Sequence, residues 1–191
     1  MARSVALGFR AHSGWAAVIA LSGTARQPEI LERRKIDLAD SSIPRAEQPY
    51  HAAAELPFER GRELLKCCEA ASERLAHEAL CELLGALKAQ GLVVIGCGLV
   101  LASGRSLPPL ESILASHALI HAAEGEHFRD ALAHASERLG LPVVRVPERE
   151  LRVTSASLQT SVNAAGKQLG LPWTADQKLA ALVAWRALAQ G

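Results

Sequence analysis

A run of ten residues, Leu92–Leu101, constrains the fold of this chain more than any other feature of its sequence. The run is apolar from end to end, contains three β-branched valines and one isoleucine, and includes no charged side chain. A strand that is apolar on both faces is typical of a sheet that helices cover on both sides. The run therefore predicts an α/β protein with Leu92–Leu101 as an inner strand.

The segments on both sides of this strand have the pattern of helices. The first, from Phe58 to about Gln90, places apolar residues at helical spacing and is followed by a glycine. The second runs from Pro108 to about Leu139 and also ends at a glycine. A short strand over Leu141–Val146 follows. The order strand, helix, strand predicts a right-handed crossover between parallel strands.

Alternating residues near the start of the chain predict three antiparallel strands. Ser4–Arg10 places apolar residues on one face, and the polar turn 11–14 connects it to the apolar segment Trp15–Leu21, as in a hairpin. Glu29–Leu38 carries charges on both faces, which suits an exposed edge strand.

The remaining segments complete a single predicted domain over residues 1–191. Residues 39–57 contain three prolines and are predicted to form a loop. Residues 151–172 are predicted to be an irregular, partly helical connection. A capping box at Thr174–Gln177 then opens the last helix. The predicted order is β-β-β-α-β-α-β-α.

Charge and composition exclude several classes of function. The chain has 21 Lys and Arg against 20 Asp and Glu, and only 4% of its residues are aromatic. This balance predicts no general attraction to nucleic acid or to a membrane surface. The apolar runs are too short to cross a bilayer, no export signal opens the chain, and the four cysteines form no disulfide framework. We therefore expect a reduced, cytoplasmic protein.

The element order and two short motifs resemble the ribonuclease H-like fold. Gly8–Trp15 is similar to the G-[VI]-D-G…G-W opening of uncharacterised members, and Ala175–Leu182 resembles the D-x-x-D-A-L-A segment of Holliday-junction resolvase-type members. The resemblance implies a mixed sheet flanked by helices, with nucleic acid as the class of partner, which the net charge does not support. In active members, carboxylates from the first strand, a middle element and the last helix hold divalent metals that cut a phosphodiester.

The chain departs from this pattern at the metal ligands. Arg10 stands at the first-strand position where the pattern has Asp, and the strand Leu92–Leu101 contains no acid. The last helix has Asp176, but Lys178 or Leu179 occupies the second acidic position. Because an arginine repels a cation, we expect the nuclease site to be absent and no cofactor to be needed.

His117, His121 and Glu124 form the most informative group of polar residues. At about 100° per residue they share the side of the second predicted helix that carries its apolar residues, so we expect them to face the core. The spacing H-x3-H-x2-E suits Zn²⁺ or another transition metal held from adjacent turns. Two alternatives are a buried hydrogen-bond cluster, with Glu124 paired to Arg10 or another cation, and a helix that breaks at Gly125 and exposes all three.

Arg10, His12 and Ser13 are candidate binding residues because they lie at the end of the first strand. Ligand sites in open α/β sheets gather at the carboxyl ends of strands, where Arg10 and His12 could contact an anion or a substrate. The alternative is a tight turn beside an ion-paired Arg10. Asp176 is a candidate catalytic residue together with Glu124, and its alternative role is to stabilise the helix dipole.

Three functional hypotheses follow. The favoured one is a ribonuclease H-like domain with a degenerate active site, acting as a binding or scaffold module without hydrolysis, in which Arg10 lies close to Glu124. The second is a metal-dependent hydrolase that holds zinc or manganese with His117, His121 and Glu124, with His12 as fourth ligand or base. The third is a Mg²⁺-dependent nuclease using Glu124 and Asp176 with Glu126 or Glu111, which the even charge and Arg10 disfavour. The sequence leaves the partner and an oligomeric state open.

Overall fold

The computed structural model describes residues 3–102 and 106–190, and a five-stranded mixed sheet forms its centre. The strands lie in the order β3-β2-β1-β4-β5. β1 pairs antiparallel with β2 and parallel with β4, β2 pairs antiparallel with β3, and β4 pairs parallel with β5. The strands are β1 (Arg3–His12), β2 (Trp15–Gly23), β3 (Pro28–Asp37), β4 (Leu92–Leu101) and β5 (Val143–Pro147). The predicted inner strand and the three antiparallel strands are confirmed.

The described residues also form seven helices, several of which cover the sheet. They are α1 (Pro49–Ala54), α2 (Phe58–Ala89), α3 (Leu110–Leu114), α4 (His117–Arg138), α5 (Glu148–Arg152), α6 (Ala156–Gln168) and α7 (Ala175–Leu188). α7 begins at the predicted capping box, in which the Thr174 side chain accepts from the backbone N–H of Gln177. Within residues 3–102 and 106–190, no helix is long and apolar enough to cross a membrane.

Two expectations about helices are wrong. Residues 39–57 are not a continuous loop, because Pro49 begins the short helix α1; proline is favoured in a first turn, where its missing N–H costs nothing. The single helix predicted over 108–139 is two helices. Ala115 and Ser116 separate them, and Ser116 has extended backbone angles as the N-cap residue of α4.

The two faces of the sheet carry different helices. Val5, Leu7 and Phe9 of β1 are buried in a cluster with residues of α2 and α4. The alternate residues of β1 face α7. At Gly8 the approach is so close that an added Cβ would lie 1.8 Å from the carbonyl oxygen of Ala180, and Gly98 of β4 meets Val183 of α7 in the same way. Glycine at both positions therefore lets α7 lie directly on β1 and β4.

α2 is longer than the sheet that it covers. Its 32 residues span about 48 Å, whereas a ten-residue strand spans about 33 Å. The second half of the helix packs on the sheet through Ala76, Leu80, Leu83 and Leu87. In the first half Leu65, Cys68 and Ser72 are also buried but lie outside that cluster, where α1 and α4 pack against the helix.

β3 forms one edge of the sheet, as the sequence predicts. Its middle carries Glu32, Arg33, Arg34 and Lys35, which are charged on both faces of the strand. Charged edges discourage pairing with a strand of another molecule.

Candidate functional site

The carboxyl end of β1 brings together four charged or titratable side chains. Because side chains alternate along a strand, Arg10 and His12 project to the same face as Gly8, the face that α7 covers. The first turn of α7 carries Asp176, and α5 begins at Glu148 directly after β5. Both acids therefore reach the end of β1 from the first turns of helices.

Arg10 is the centre of this cluster. Its Nη2 lies 3.0 Å from Oε2 of Glu148, and its Nε lies 3.9 Å from Oδ1 of Asp176. His12 Nε2 lies 2.9 Å from the same Asp176 oxygen, although neither His12 Nε2 nor Arg10 Nε is aligned for a hydrogen bond within the described residues. Arg152 on α5 makes a second ion pair with Glu148.

This set of donors does not fit a magnesium centre. Mg²⁺ is held by one or two carboxylates together with water or phosphate oxygens, and these carboxylates must be free to turn toward it. Here Glu148 and Asp176 face Arg10, and a guanidinium carries a permanent positive charge. An ion placed between the two acids would have to displace Arg10. The arginine thus neutralises the carboxylates in the place where a cation would be needed.

A second cluster forms where α1 meets the start of α4. His117 is the first residue of α4 and His121 follows one turn later, and His51 of α1 lies against both. The ring centroids of His117 and His121 are 4.4 Å apart, and that of His51 is 4.8 Å from His121 and 5.4 Å from His117. One ligand atom from each of the three rings lies within 4.8 Å of the others.

Glu124 is buried behind this group. Its Oε1 accepts hydrogen bonds from Nδ1 of His51 at 2.8 Å and from the backbone N–H of His51 at 3.2 Å. The side chain of Glu124 is only 3% exposed. Glu124 and the three imidazoles therefore form one connected cluster, in which the carboxylate is buried and the rings lie nearer the surface.

The structure corrects three expectations about these residues. His117 and His121 are exposed, not core-facing, because they lie in the first two turns of α4, before Phe128 and Leu132, which join the core cluster against the sheet. Glu124 pairs with His51 and not with Arg10, since α4 and α7 cover opposite faces of the sheet. The helix does not break at Gly125, which lies in the middle of α4.

The acids of the third hypothesis do not form one centre with Asp176. Glu124 lies on α4, on the opposite face of the sheet from α7, and is bonded to His51. Glu126 pairs with Arg129 of the same helix, and Glu111 is exposed on α3.

His127 lies one turn beyond Glu124 on α4 and is partly buried. Its Nε2 is 3.0 Å from Oγ of Ser72 on α2, and its ring meets that of Tyr50 edge to face. Burial lowers the pKa of His127 to about 4, against a smaller opposing effect of Glu73. The imidazole is therefore neutral at pH 7 and acts as a packing and hydrogen-bonding group.

Ser13 lines a groove that does not include Arg10 or His12. The residue lies in the β1–β2 turn, and the groove has a volume of about 550 Å³. Trp15 lines the same groove, its ring stacked on His12 with centroids 4.4 Å apart and with Lys35 above it. Asp37, Asp40, Glu47 and Arg74 also line the groove, so both signs of charge are present.

Sequence reasoning missed two residues of these clusters. Glu148 had a usable signal, because an acid directly after a parallel strand lies at the edge where ligand sites gather. His51 had none, since 66 positions separate it from His117 and only the packing of α1 brings them together.

Comparison with known proteins places the fold. No sequence profile of a protein family and no curated protein matches the chain. Two solved structures of Thermus thermophilus RuvC match, one of them "in complex with Holliday junction substrate"; both have a TM-score of 0.50 and 11% identity. The alignment covers 98% of this chain for the complex and 97% for the other structure, and 95% of the RuvC chain in both. The chain therefore has the ribonuclease H-like fold.

Proposed function

We propose that this ribonuclease H-like protein lacks the metal–carboxylate nuclease site and acts by binding, as a recognition or scaffold module. The observation that carries the proposal is the ion pair of Arg10 with Glu148 beside Asp176 at the end of β1. In the fold that the chain shares, the resemblance implies carboxylates and divalent metals at this place.

The physical reason is one of charge. Two half-buried carboxylates repel each other and must be compensated by a cation. A nuclease would use metal ions for this purpose and then use their charge to stabilise the reacting phosphate. Arg10 compensates the acids permanently but offers no coordination site for an attacking water. The cluster therefore supports stability and binding rather than hydrolysis.

Branched DNA is the first partner class to test, because one similar structure is that of RuvC with a Holliday junction substrate. The formal net charge of +1 predicts weak binding of any nucleic acid, because the chain has almost no excess of Lys and Arg to neutralise phosphates. Fluorescence anisotropy with a labelled four-way junction, with a duplex of equal length as control, measures whether this partner is bound.

The decisive experiment is a cleavage assay. Labelled four-way junction DNA is incubated with the protein in Mg²⁺ or Mn²⁺, and T. thermophilus RuvC serves as the positive control. We expect no product from this protein at any metal concentration. Metal-dependent product that disappears in Asp176→Asn would refute the proposal. We also expect Arg10→Asp to gain Mn²⁺ binding in calorimetry, because it exchanges the neutralising cation for a third carboxylate.

Metal-dependent hydrolysis at the histidine cluster is the second candidate function. The convergence of His51, His117 and His121 favours it. His51 replaces Glu124 in the ligand set that the sequence predicts, because Glu124 is hydrogen-bonded to His51. It predicts that Zn²⁺ stimulates hydrolysis of p-nitrophenyl esters or phosphates by the wild type and not by His121→Ala. Equal rates in both proteins would reject it.

A further inference from the structure

We propose that His51, His117 and His121 bind one Zn²⁺ ion, and that Glu124 is the positioning residue that holds His51 for this purpose. The site is separate from the Arg10 cluster and lies on the other face of the sheet. It goes beyond the proposed binding function and does not depend on it, whereas the second candidate function, hydrolysis, requires this site.

The nitrogens of the three rings already lie so close together that binding a metal ion requires only a small further approach. Zinc bound at about 2.1 Å from each nitrogen of a tetrahedral site brings the nitrogens to about 3.4 Å from one another. The candidate ligand atoms lie within 4.8 Å of each other. Because His117 and His121 are exposed, rotation of their side chains closes this difference without moving the backbone.

The hydrogen bond to Glu124 fixes the tautomer of His51. A carboxylate can only accept, so Nδ1 of His51 carries the proton that it donates over 2.8 Å. The lone pair of the neutral ring is then on Nε2, the nitrogen that remains for a metal. A histidine that binds zinc through one ring nitrogen commonly donates the N–H of the other to a carboxylate. Glu124 is thus a partner of the ligand and not a ligand.

Charge gives a second reason for a cation here. The Glu124 carboxylate is almost fully buried, and burying an ionised carboxylate without compensation is costly. Arg45, which interacts electrostatically with Glu124, is already paired with Glu55. A divalent ion on His51 would compensate Glu124 through the ring.

The ligand types decide which metal is expected. Imidazole nitrogens suit zinc, copper and nickel, whereas magnesium prefers oxygen ligands. Three protein ligands leave a fourth position, and the exposure of His117 and His121 opens it to solvent. We therefore assign a zinc site with an exchangeable water, which also ties α1 to α4.

The test is calorimetric titration of ZnCl₂, and of MgCl₂ for comparison, into full-length protein stripped of metal with a chelator. We expect one tight zinc site per chain and no comparable magnesium site. The double variant His117→Ala/His121→Ala should lose the site, and both positions are exposed, so that folding is preserved. His134→Ala is the matched control, because His134 is half exposed on the same helix and pairs with Glu73, outside the cluster. It should bind zinc as the wild type does.

Glu124→Gln separates the positioning role from ligation. All three ligands remain, and loss of the carboxylate should weaken zinc binding about 10- to 100-fold. A Co²⁺ titration supplies a second readout, since tetrahedral cobalt absorbs visible light and the band should vanish in the double variant. The proposal is overturned if the wild type binds no stoichiometric zinc, or if the double variant binds it equally well, which would assign the zinc to groups such as the exposed thiols Cys67 and Cys81. Neither assay involves DNA, so its failure is distinct from failure of the proposed function.

Discussion

Arg10 and Glu148 face each other at 3.0 Å between Nη2 and Oε2, with only 19% and 20% of their side chains exposed. Replacement of Arg10 by alanine would leave two neighbouring carboxylates, Glu148 and Asp176, without their shared cation. We expect Arg10→Ala to lower the free energy of unfolding by about 1–3 kcal/mol at pH 7, as for loss of one partner from a part-buried charged pair. Urea denaturation measures this difference.

The control for this experiment is Arg152→Ala. Arg152 also pairs with Glu148, but 67% of its side chain is exposed, so its pair is screened by solvent. It should cost less than about 1 kcal/mol. Equal losses in the two variants would show that Arg10 is not the central cation of the cluster.

Two glycines test how closely α7 packs on the sheet. A methyl group at Gly8 would meet the Ala180 carbonyl oxygen at 1.8 Å, so Gly8→Ala must displace α7. We expect it to lower stability by about 1–3 kcal/mol or more. Gly85 lies on the exposed side of α2, where an added Cβ meets nothing within 4 Å. Gly85→Ala should raise stability by about 0.5–1 kcal/mol through helix propensity. Thermal unfolding measures the stability of both variants. If Gly8→Ala were as stable as the wild type, the close approach of α7 to Gly8 would be contradicted.

His127 should make the protein less stable as the pH falls. Its pKa is lowered from 6.5 to about 4 in the fold, so the unfolded chain takes up a proton at a higher pH than the native one. The contribution of neutral His127 is complete above about pH 6.5 and is lost toward pH 4, by up to about 1.4 kcal/mol per pH unit. The measurement is chemical denaturation of the wild type and His127→Gln across this range. The wild type should have the steeper dependence.

His134→Gln is the control for that pH series. The hydrogen bond to Glu73 raises the pKa of His134, so its contribution is present at low pH and is lost only as the pH rises through its folded pKa. The variant should therefore keep the wild-type slope between pH 4 and 6.5. A wild-type slope in His127→Gln as well would assign the acid sensitivity to other groups.

The four cysteines should divide into two reactive and two protected thiols. Cys67 and Cys81 are exposed, whereas Cys68 and Cys97 are buried. Burial raises the pKa of Cys97 to about 12, and burial also raises that of Cys68, so neither forms a thiolate readily. We expect iodoacetamide at pH 8 to label Cys67 and Cys81 quickly and the other two only after unfolding. Peptide mass spectrometry reads out each position, and rapid labelling of Cys97 in the native protein would contradict its burial in β4.

Regular elements with a clear period could be predicted from the sequence. β4 shows an uninterrupted apolar run, α2 shows helical spacing over nine turns, and α7 shows its capping box. The predicted ends of these three elements lie within about two residues of the observed ones. The short helix α1 was missed because six residues hold too little periodicity. Ser116, a favoured N-cap residue, was the available signal for the break before α4.

The sites were harder to predict because their partners come from distant parts of the chain. The alternation in β1 placed Arg10 opposite Phe9, but nothing local showed which helix covers which face. The sequence therefore predicts Glu124 beside Arg10, whereas Glu124 lies beside His51. Which residues pair with each other depends on which helix covers which face of the sheet. The local spacing of residues in the sequence does not determine this.

The length of α2 decides where His51 stands. Its first half reaches past the sheet and supports α1, whose residue Ala53 lies so close to Gly61 that a Cβ there would meet the Ala53 carbonyl oxygen at 2.7 Å. If α2 were two turns shorter at its N-terminal end, the sheet would remain covered, but α1 would lose the part of α2 against which it packs. The imidazole contributed by α1 would then lose its place opposite α4. The overhang thus makes the histidine cluster dependent on a part of the helix that the core does not require.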